Sequence, residues 1–477
     1  MKTKLILSMI TVWLFFAPAQ LANAAEFDID GVVQRLLGNT DISVSLREVD
    51  SGELLYVKNG DVGMKPASTL KLLTASGALE LLGPDYRFQT KLFIDGEIEG
   101  KVLNGDVYIK GGGDPTLQKK DFKFMASLLK HYGIQQINGN LYGDDTLFSG
   151  EQLTPGISKE DESFYFAART SALTMSPDND YDAGTIIINV NAGNVGGTPT
   201  VNAEPSTSGM VVKNYAATVD KNQKNTIEIL RHYGTNQITI TGNIPYGTSF
   251  KDWVTLNDPT KNTLLAIKET FEAGGLVFSN QAKIESKIVP KKAVSIYTKH
   301  SLPLKSLTYQ FLKLSNNSMA DILVKTLGRE LNGKGDLAEG LAALKEYGIS
   351  IGLNMENWNL EDGSGMSHAN RVTANELSLI LTKINEHPDY KILQTSLPMG
   401  GQTDRLIGGS LKNRFNDVKY QNRVIAKTGH ISGVYTLAGY VTAYSGRKYA
   451  FAIMTQNQTS IRLKQIDEVV KNVILHY

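Results

Sequence analysis

Three short motifs stand in one order along this chain, Ser68-Thr69-Leu70-Lys71, Ser315-Asn316-Asn317 and Lys427-Thr428-Gly429. Their spacing restricts the fold more than any bulk property does. A hydroxyl and an amine three residues apart share one face of a helix, but 247 positions separate Ser68 from Ser315. Any fold that unites the motifs must loop a large part of the chain out and back. Together they supply a hydroxyl nucleophile, an amine to take its proton, a second hydroxyl–amide pair and a second cation, which is the equipment for acyl transfer at serine. Each motif alone is weak, since Ser127/Lys130 and Ser445/Lys448 also fit the first pattern.

Local context strengthens each motif. Pro66-Ala67 precedes apolar residues at Leu70, Leu72, Leu73, Ala75, Ala78, Leu79 and Leu82, and Gly83-Pro84 stops them. Ser68 is therefore expected to open a buried helix, at the positive end of its dipole, with Lys71 one turn on. Burial and a nearby Lys427 are both expected to lower the pKa of Lys71, so that it acts as a base. Ser315-Asn316-Asn317 follows an apolar helix, Leu304 to Lys313, at a loop. There Ser315 suits proton relay and the Asn317 amide suits a substrate carbonyl, the blander reading being an Asx turn that caps the next helix. Lys427-Thr428-Gly429 falls on an edge strand, where Lys427 and Thr428 suit a carboxylate and Gly429 a close backbone approach.

The texture of the chain changes twice. A hairpin, Ile42 to Val57, precedes the first motif. From Phe88 to about Phe148 short strands alternate with Gly/Asp turns, interrupted by a helix from Phe122 to His131. From about Gly184 to Ile244 the text is all-β. The C-terminal part carries helices at 319–331 and 337–347, three strands between Arg423 and Thr455, and a last helix from Ile461 to Leu475. Three C-terminal strands plus the N-terminal hairpin give a five-stranded antiparallel sheet with the terminal helices on one face, an α+β fold with a discontinuous catalytic domain.

Lys plus Arg (49) nearly cancel Asp plus Glu (48), and the 20 tyrosines are scattered without basic interleaving, so nucleic acid is not an expected partner. The histidines show no metal-ligand spacing, and neither a metal nor another cofactor is expected. Met1-Lys2-Thr3-Lys4, an apolar run to Ala17 and Ala22-Asn23-Ala24 have the order of a secretory signal over residues 1–24. The expectation is a secreted protein of the cell wall or periplasm with no stable membrane span after processing. It has zero cysteines, so it must hold itself together through its cores.

The ordered trio resembles that of penicillin-binding proteins and serine β-lactamases. Additional segments narrow the resemblance: Gly111-Gly112-Gly113-Asp114-Pro115-Thr116-Leu117, Asn138 to Leu141 with Gly143-Asp144-Asp145, Glu361 to Ser367, and Leu397-Pro398-Met399-Gly400-Gly401. The chain is similar to the class C low-molecular-mass penicillin-binding proteins, the D-alanyl-D-alanine carboxypeptidase/endopeptidase family (serine peptidase family S13). The resemblance implies a penicillin-binding transpeptidase-like, or β-lactamase-like, catalytic domain over 25–88 and 288–477. It also implies two inserted smaller domains, an α/β domain II over 89–183 and 246–287 and a β-rich domain III over 184–245.

It further implies that Ser68 attacks a D-Ala-D-Ala terminus or a D-centred cross-link of peptidoglycan stem peptides. Lys71 and Ser315 would be its catalytic partners, and Asn317, Lys427, Thr428 and Gly429 would hold substrate. The backbone N–H groups of Ser68 and His430 would form the oxyanion hole, and β-lactams would be covalent inhibitors. His430 is a departure, since the family commonly has Ser or Thr there, and a hydroxyl able to hold the substrate carboxylate is lost. A β-lactamase-type hydrolase and a non-catalytic cell-wall-binding module are the competing readings. The inserted segments and the retained motif residues argue against them.

Overall fold

The computed structural model describes residues 27–206, 209–388 and 390–477, so the expected signal segment, 1–24, lies outside the described residues. Five antiparallel strands form the central sheet: β1 (Ile42–Glu48), β2 (Leu54–Lys58), β3 (Val424–Ile431), β4 (Val434–Thr442) and β5 (Lys448–Thr455). Their spatial order is β3-β4-β5-β1-β2, so the strand carrying Lys427 is an edge. The two ends of the chain meet in the middle of the sheet, where Ile42 pairs with Thr455 and Glu48 with Tyr449.

Strand periodicity explains how the sheet is covered. Ile42, Val44 and Leu46 point to one face and pack with Ile29 and Val33 of α1 (Ile29–Leu37) and with Ile466 and Val470 of the C-terminal helix Leu463–His476. The opposite face meets a helical core, to which the sheet contributes Ala438, Tyr440, Ala450, Ala452 and Met454. With both faces covered, β4 is buried at every position from Val434 to Val441.

The helical core is built around α2 (Lys71–Leu82), which is buried from Lys71 through Leu79. Packed with it are the helices Leu304–Lys313, Asn317–Asn332, Leu337–Ser350 and Ala374–Glu386. The chain leaves this core after Phe88. Strands Gln89–Glu99 and Val102–Lys110 start a seven-stranded sheet that the helices Lys119–His131 and Pro259–Ala273 accompany. Smaller sheets are built from 185–255. The strand Val294–His300, beyond the position 288 at which the catalytic part was expected to resume, pairs with Gln89–Glu99 and completes the larger sheet. Apolar residues from both expected inserts, among them Phe122, Leu141, Ile188, Ile240 and Phe271, fall in one continuous buried cluster.

Candidate active site

The turn that carries Ser68 is shaped by contacts distant in sequence. Ala67–Leu70 is a 3-10 turn and α2 begins at Lys71, so Ser68 lies just before the helix and does not open it. The difference from expectation arises at Ala67, whose φ of 45° is left-handed. That conformation costs an alanine about 1–3 kcal/mol and persists only where packing imposes it. Here Ala67 is fully buried, and the Pro66 carbonyl beside it accepts from Thr69 Oγ1 at 2.7 Å and Thr436 Oγ1 at 2.8 Å. Two glycines make room for the turn. A Cβ at Gly365 would stand 1.9 Å from the Ala67 carbonyl oxygen, and one at Gly429 would stand 2.1 Å from Thr436 Oγ1 and 2.9 Å from the Pro66 oxygen. The close approach that Gly429 permits is to the Ser68 turn itself.

Lys71 Nζ donates to Ser68 Oγ at 2.8 Å, to Asn317 Oδ1 at 2.6 Å and to the Ser364 carbonyl at 3.0 Å. Burial brings its pKa down to about 7, against the opposing pull of Asp362 and then Asp321. The expected influence of Lys427 runs the other way. Burial first, and then the charge of Lys71, hold the Lys427 pKa well below its ordinary value.

Ser315 sits between two helices with a left-handed φ of 60°. The cap that its motif suggested is supplied by Asn316, whose Oδ1 accepts from Met319 N at 2.9 Å, while its Nδ2 donates to the Tyr181 carbonyl at 2.8 Å. The flanking residues are thereby left for the site. Lys427 Nζ donates to Ser315 Oγ at 2.8 Å and to the Thr428 carbonyl at 2.8 Å, bridging the sheet edge to the helical core. Asn317, expected to offer its amide to substrate, accepts from Lys71 and donates through Nδ2 to the Phe166 carbonyl at 2.9 Å. Thr428 donates to Ser410 Oγ at 2.6 Å.

Ser68, Ser315, Asn317, Thr428 and His430 line one cleft of about 520 Å³, walled on the far side by Ile157, Asp161, Tyr165 and Phe166. The His430 ring is exposed and stacks on Tyr435, with centroids 4.8 Å apart. Partial burial holds its pKa below the usual imidazole value. The two decoy pairs are elsewhere: Ser127 and Lys130 lie on the surface of the helix Lys119–His131, where Ser127 donates to the Phe124 carbonyl and Lys130 to the Gly274 carbonyl beyond the helix Pro259–Ala273, and Ser445 sits in the turn before β5, which Lys448 begins.

Sequence reasoning assigned no role to Asp362 or Asp321. Asp362 accepts from Ser364 N, Ser364 Oγ, Gly365 N, Ser367 N and Asn370 Nδ2, and so folds the loop that presents the Ser364 carbonyl to Lys71. Asp321 stands four residues after Asn317 on the same helix. That spacing is the signal that would have found it.

Fold and geometry together define a class, the serine acyl-transferring hydrolases of penicillin-binding, β-lactamase-like architecture. Residues 28–473 match the model of the D-Ala-D-Ala carboxypeptidase 3 (S13) family, and the chain belongs to it. It is a serine hydrolase of the D-alanyl-D-alanine carboxypeptidase kind. A D-alanyl-D-alanine carboxypeptidase from an Actinomadura species is 31% identical over 444 residues, covering 92% of this chain and 82% of the relative. The crystal structure of penicillin-binding protein 4 from Haemophilus influenzae superposes with a TM-score of 0.79 at 23% identity, covering 94% of this chain and 98% of that one. A penicillin-G-acylated predatory endopeptidase from Bdellovibrio bacteriovorus, solved with an immunity protein, has a TM-score of 0.51 at 18% identity and covers 91% of each chain.

Proposed function

We propose that Ser68 is the nucleophile of a DD-peptidase acting on peptidoglycan stem peptides, with Lys71 as its base. The observation that carries this is the 2.8 Å bond between Ser68 Oγ and a buried lysine amine whose pKa is depressed to about 7. Neutral Lys71 takes the hydroxyl proton as Oγ bonds to the carbonyl carbon of the penultimate D-Ala. The resulting oxyanion is held by the backbone N–H groups of Ser68 and His430. As the C–N bond breaks, Ser315, fixed by Lys427, relays the proton held on Lys71 to the leaving amine, taking one up on Oγ as it gives its own away, so that Lys71 is neutral again for the attack of water. Water then attacks the acyl-enzyme and releases Ser68. Lys427 and Thr428 face the leaving side, where a carboxylate would supply Lys427 with the countercharge it lacks, its partners being the neutral oxygens of Ser315 and Thr428. Gly429 keeps the strand close to the nucleophile turn.

The same reading takes β-lactams as inhibitors that acylate Ser68. This agrees with the penicillin-acylated state of the Bdellovibrio endopeptidase. It places the protein outside the cytoplasmic membrane, in wall or periplasm. The signal pattern of residues 1–24 supports that placement, and no helix among the described residues is long and apolar enough to cross a membrane. The discontinuous catalytic domain with inserted domains II and III belongs to this reading too. The test is incubation of the protein with labelled penicillin, with the adduct located by mass and its lifetime followed. A long-lived adduct on Ser68 that Ser68→Ala abolishes is expected, whereas rapid turnover or no adduct rejects the peptidase. Assays on D-Ala-D-Ala peptides and cross-linked muropeptides then divide carboxypeptidase from endopeptidase activity.

A further inference from the structure

Beneath Lys71 lies a buried carboxylate that the mechanism above does not use. Asp321 is 2% exposed and follows Asn317, the acceptor of the Lys71 ammonium, by one helical turn. Its Oδ1 accepts from Gly363 N at 3.1 Å, and the Gly363 carbonyl accepts from Thr74 Oγ1 of α2 at 2.7 Å. Its Oδ2 accepts from Thr154 Oγ1 at 2.6 Å, and Thr154 lies on the segment that crosses from the inserted part of the chain. We propose that Asp321 is a positioning residue that sets the pH at which Lys71 becomes a base, and that Thr154 governs how much of its charge Lys71 feels.

The proposal rests on the reading of Lys71 as the base. The groups around the pair are few. Lys71 faces Asn317 and Asp321 from one helix, Asp362 and the Ser364 carbonyl from the loop, and Lys427 from the sheet edge. Asp321 faces Thr154, Gly363 N, Asp362 and, on its own helix, Lys325, which is held by the Ser149 and Glu151 carbonyls. Of the two carboxylates, Asp362 spends both oxygens on five donors of its own loop, whereas Asp321 has two, Gly363 N and Thr154 Oγ1. Asp321 is the adjustable one. Burial and Asp362 push its pKa up to about 6, with the Thr154 and Gly363 hydrogen bonds pulling the other way. An ionised Asp321 favours protonated Lys71, so losing that charge must leave Lys71 neutral down to lower pH.

The experiment measures the second-order rate of acylation by benzylpenicillin from about pH 5 to pH 9, which reports ionisations of the free enzyme. In Asp321→Asn the acidic limb should move down by roughly one pH unit. In Thr154→Val, a near-isosteric change that loses the donor, the limb should move the same way by less, and Thr154→Ser should restore it. If Asp321→Asn fails to fold, the Thr154 pair decides alone. An unchanged limb with only a lowered plateau, the mark of loop anchoring, overturns the proposal and leaves Lys71 as the base. Absence of any acidic limb near neutrality in the unmodified protein overturns both readings.

Discussion

A lysine with no access to water is a poor cation, and Lys71 shows what that is worth. Its depression to about 7 means that the neutral, proton-accepting form gains population as pH rises through neutrality. We therefore expect acylation of Ser68 to rise with pH and level off above about pH 8, measured by stopped-flow quenching with a β-lactam. Lys71→Arg should abolish the rise and cut the rate by at least ~100-fold, because a guanidinium stays charged. His430 is the residue to change for substrate choice. Partial burial disfavours its charged form, and the ring offers no hydroxyl to a terminal carboxylate. His430→Ser should raise kcat/KM for D-Ala-D-Ala termini by about 3–10-fold and leave cross-linked substrates within about twofold, read by release of free D-alanine. The Ser68–Lys71 contact was legible because three-residue spacing is local geometry. The strain at Ala67 was not, since the contacts that hold it, Thr436 Oγ1 on the Pro66 carbonyl and the room left by Gly365 and Gly429, come from far along the chain.

At the scale of elements, much of the site's precision comes from an edge strand pressed against a turn. Gly429→Ala places a methyl group within 2.1 Å of Thr436 Oγ1 and 2.9 Å of the Pro66 oxygen. The turn or the strand must give way. The cost is about 1–3 kcal/mol of stability, a lowered Tm in calorimetry, and acylation slowed by at least ~10-fold as Ser68 shifts. Elements whose signals are local stood plainly in the sequence. The helix Leu304–Lys313 runs where its apolar residues put it, and the strand bearing Lys427 is an edge as its context implied. The next helix starts at Asn317, two residues before the expected Met319, because Asn316 provides the cap. The membership of Val294–His300 in the seven-stranded sheet was not legible. A strand's text does not name its partner, and this one pairs across the whole inserted stretch.

Across the whole molecule, the segment from Gly156 to Phe166 reaches over to wall the cleft. Arg405 donates to Asp180 Oδ1 at 2.7 Å, tying the segment that bears Tyr165 and Phe166 to the catalytic side. The pair is partly exposed, so Arg405→Ala should cost no more than about 1 kcal/mol. Hydrogen exchange should nevertheless rise across residues 156–182 with Tm almost unchanged.

The sheet itself joins residues synthesised first and last. Asp41 accepts a hydrogen bond from Asn457 across 416 positions of chain, and β1 has β5 as its inner neighbour. While the polypeptide is being made, Ser68 emerges early, but the strands that seat it arrive last. A nascent chain therefore carries Ser68 without the strands that complete the cleft around it. Release of a chain stopped before Lys448 should give a product that takes up no penicillin. Completion of the chain is thus the step that assembles the site.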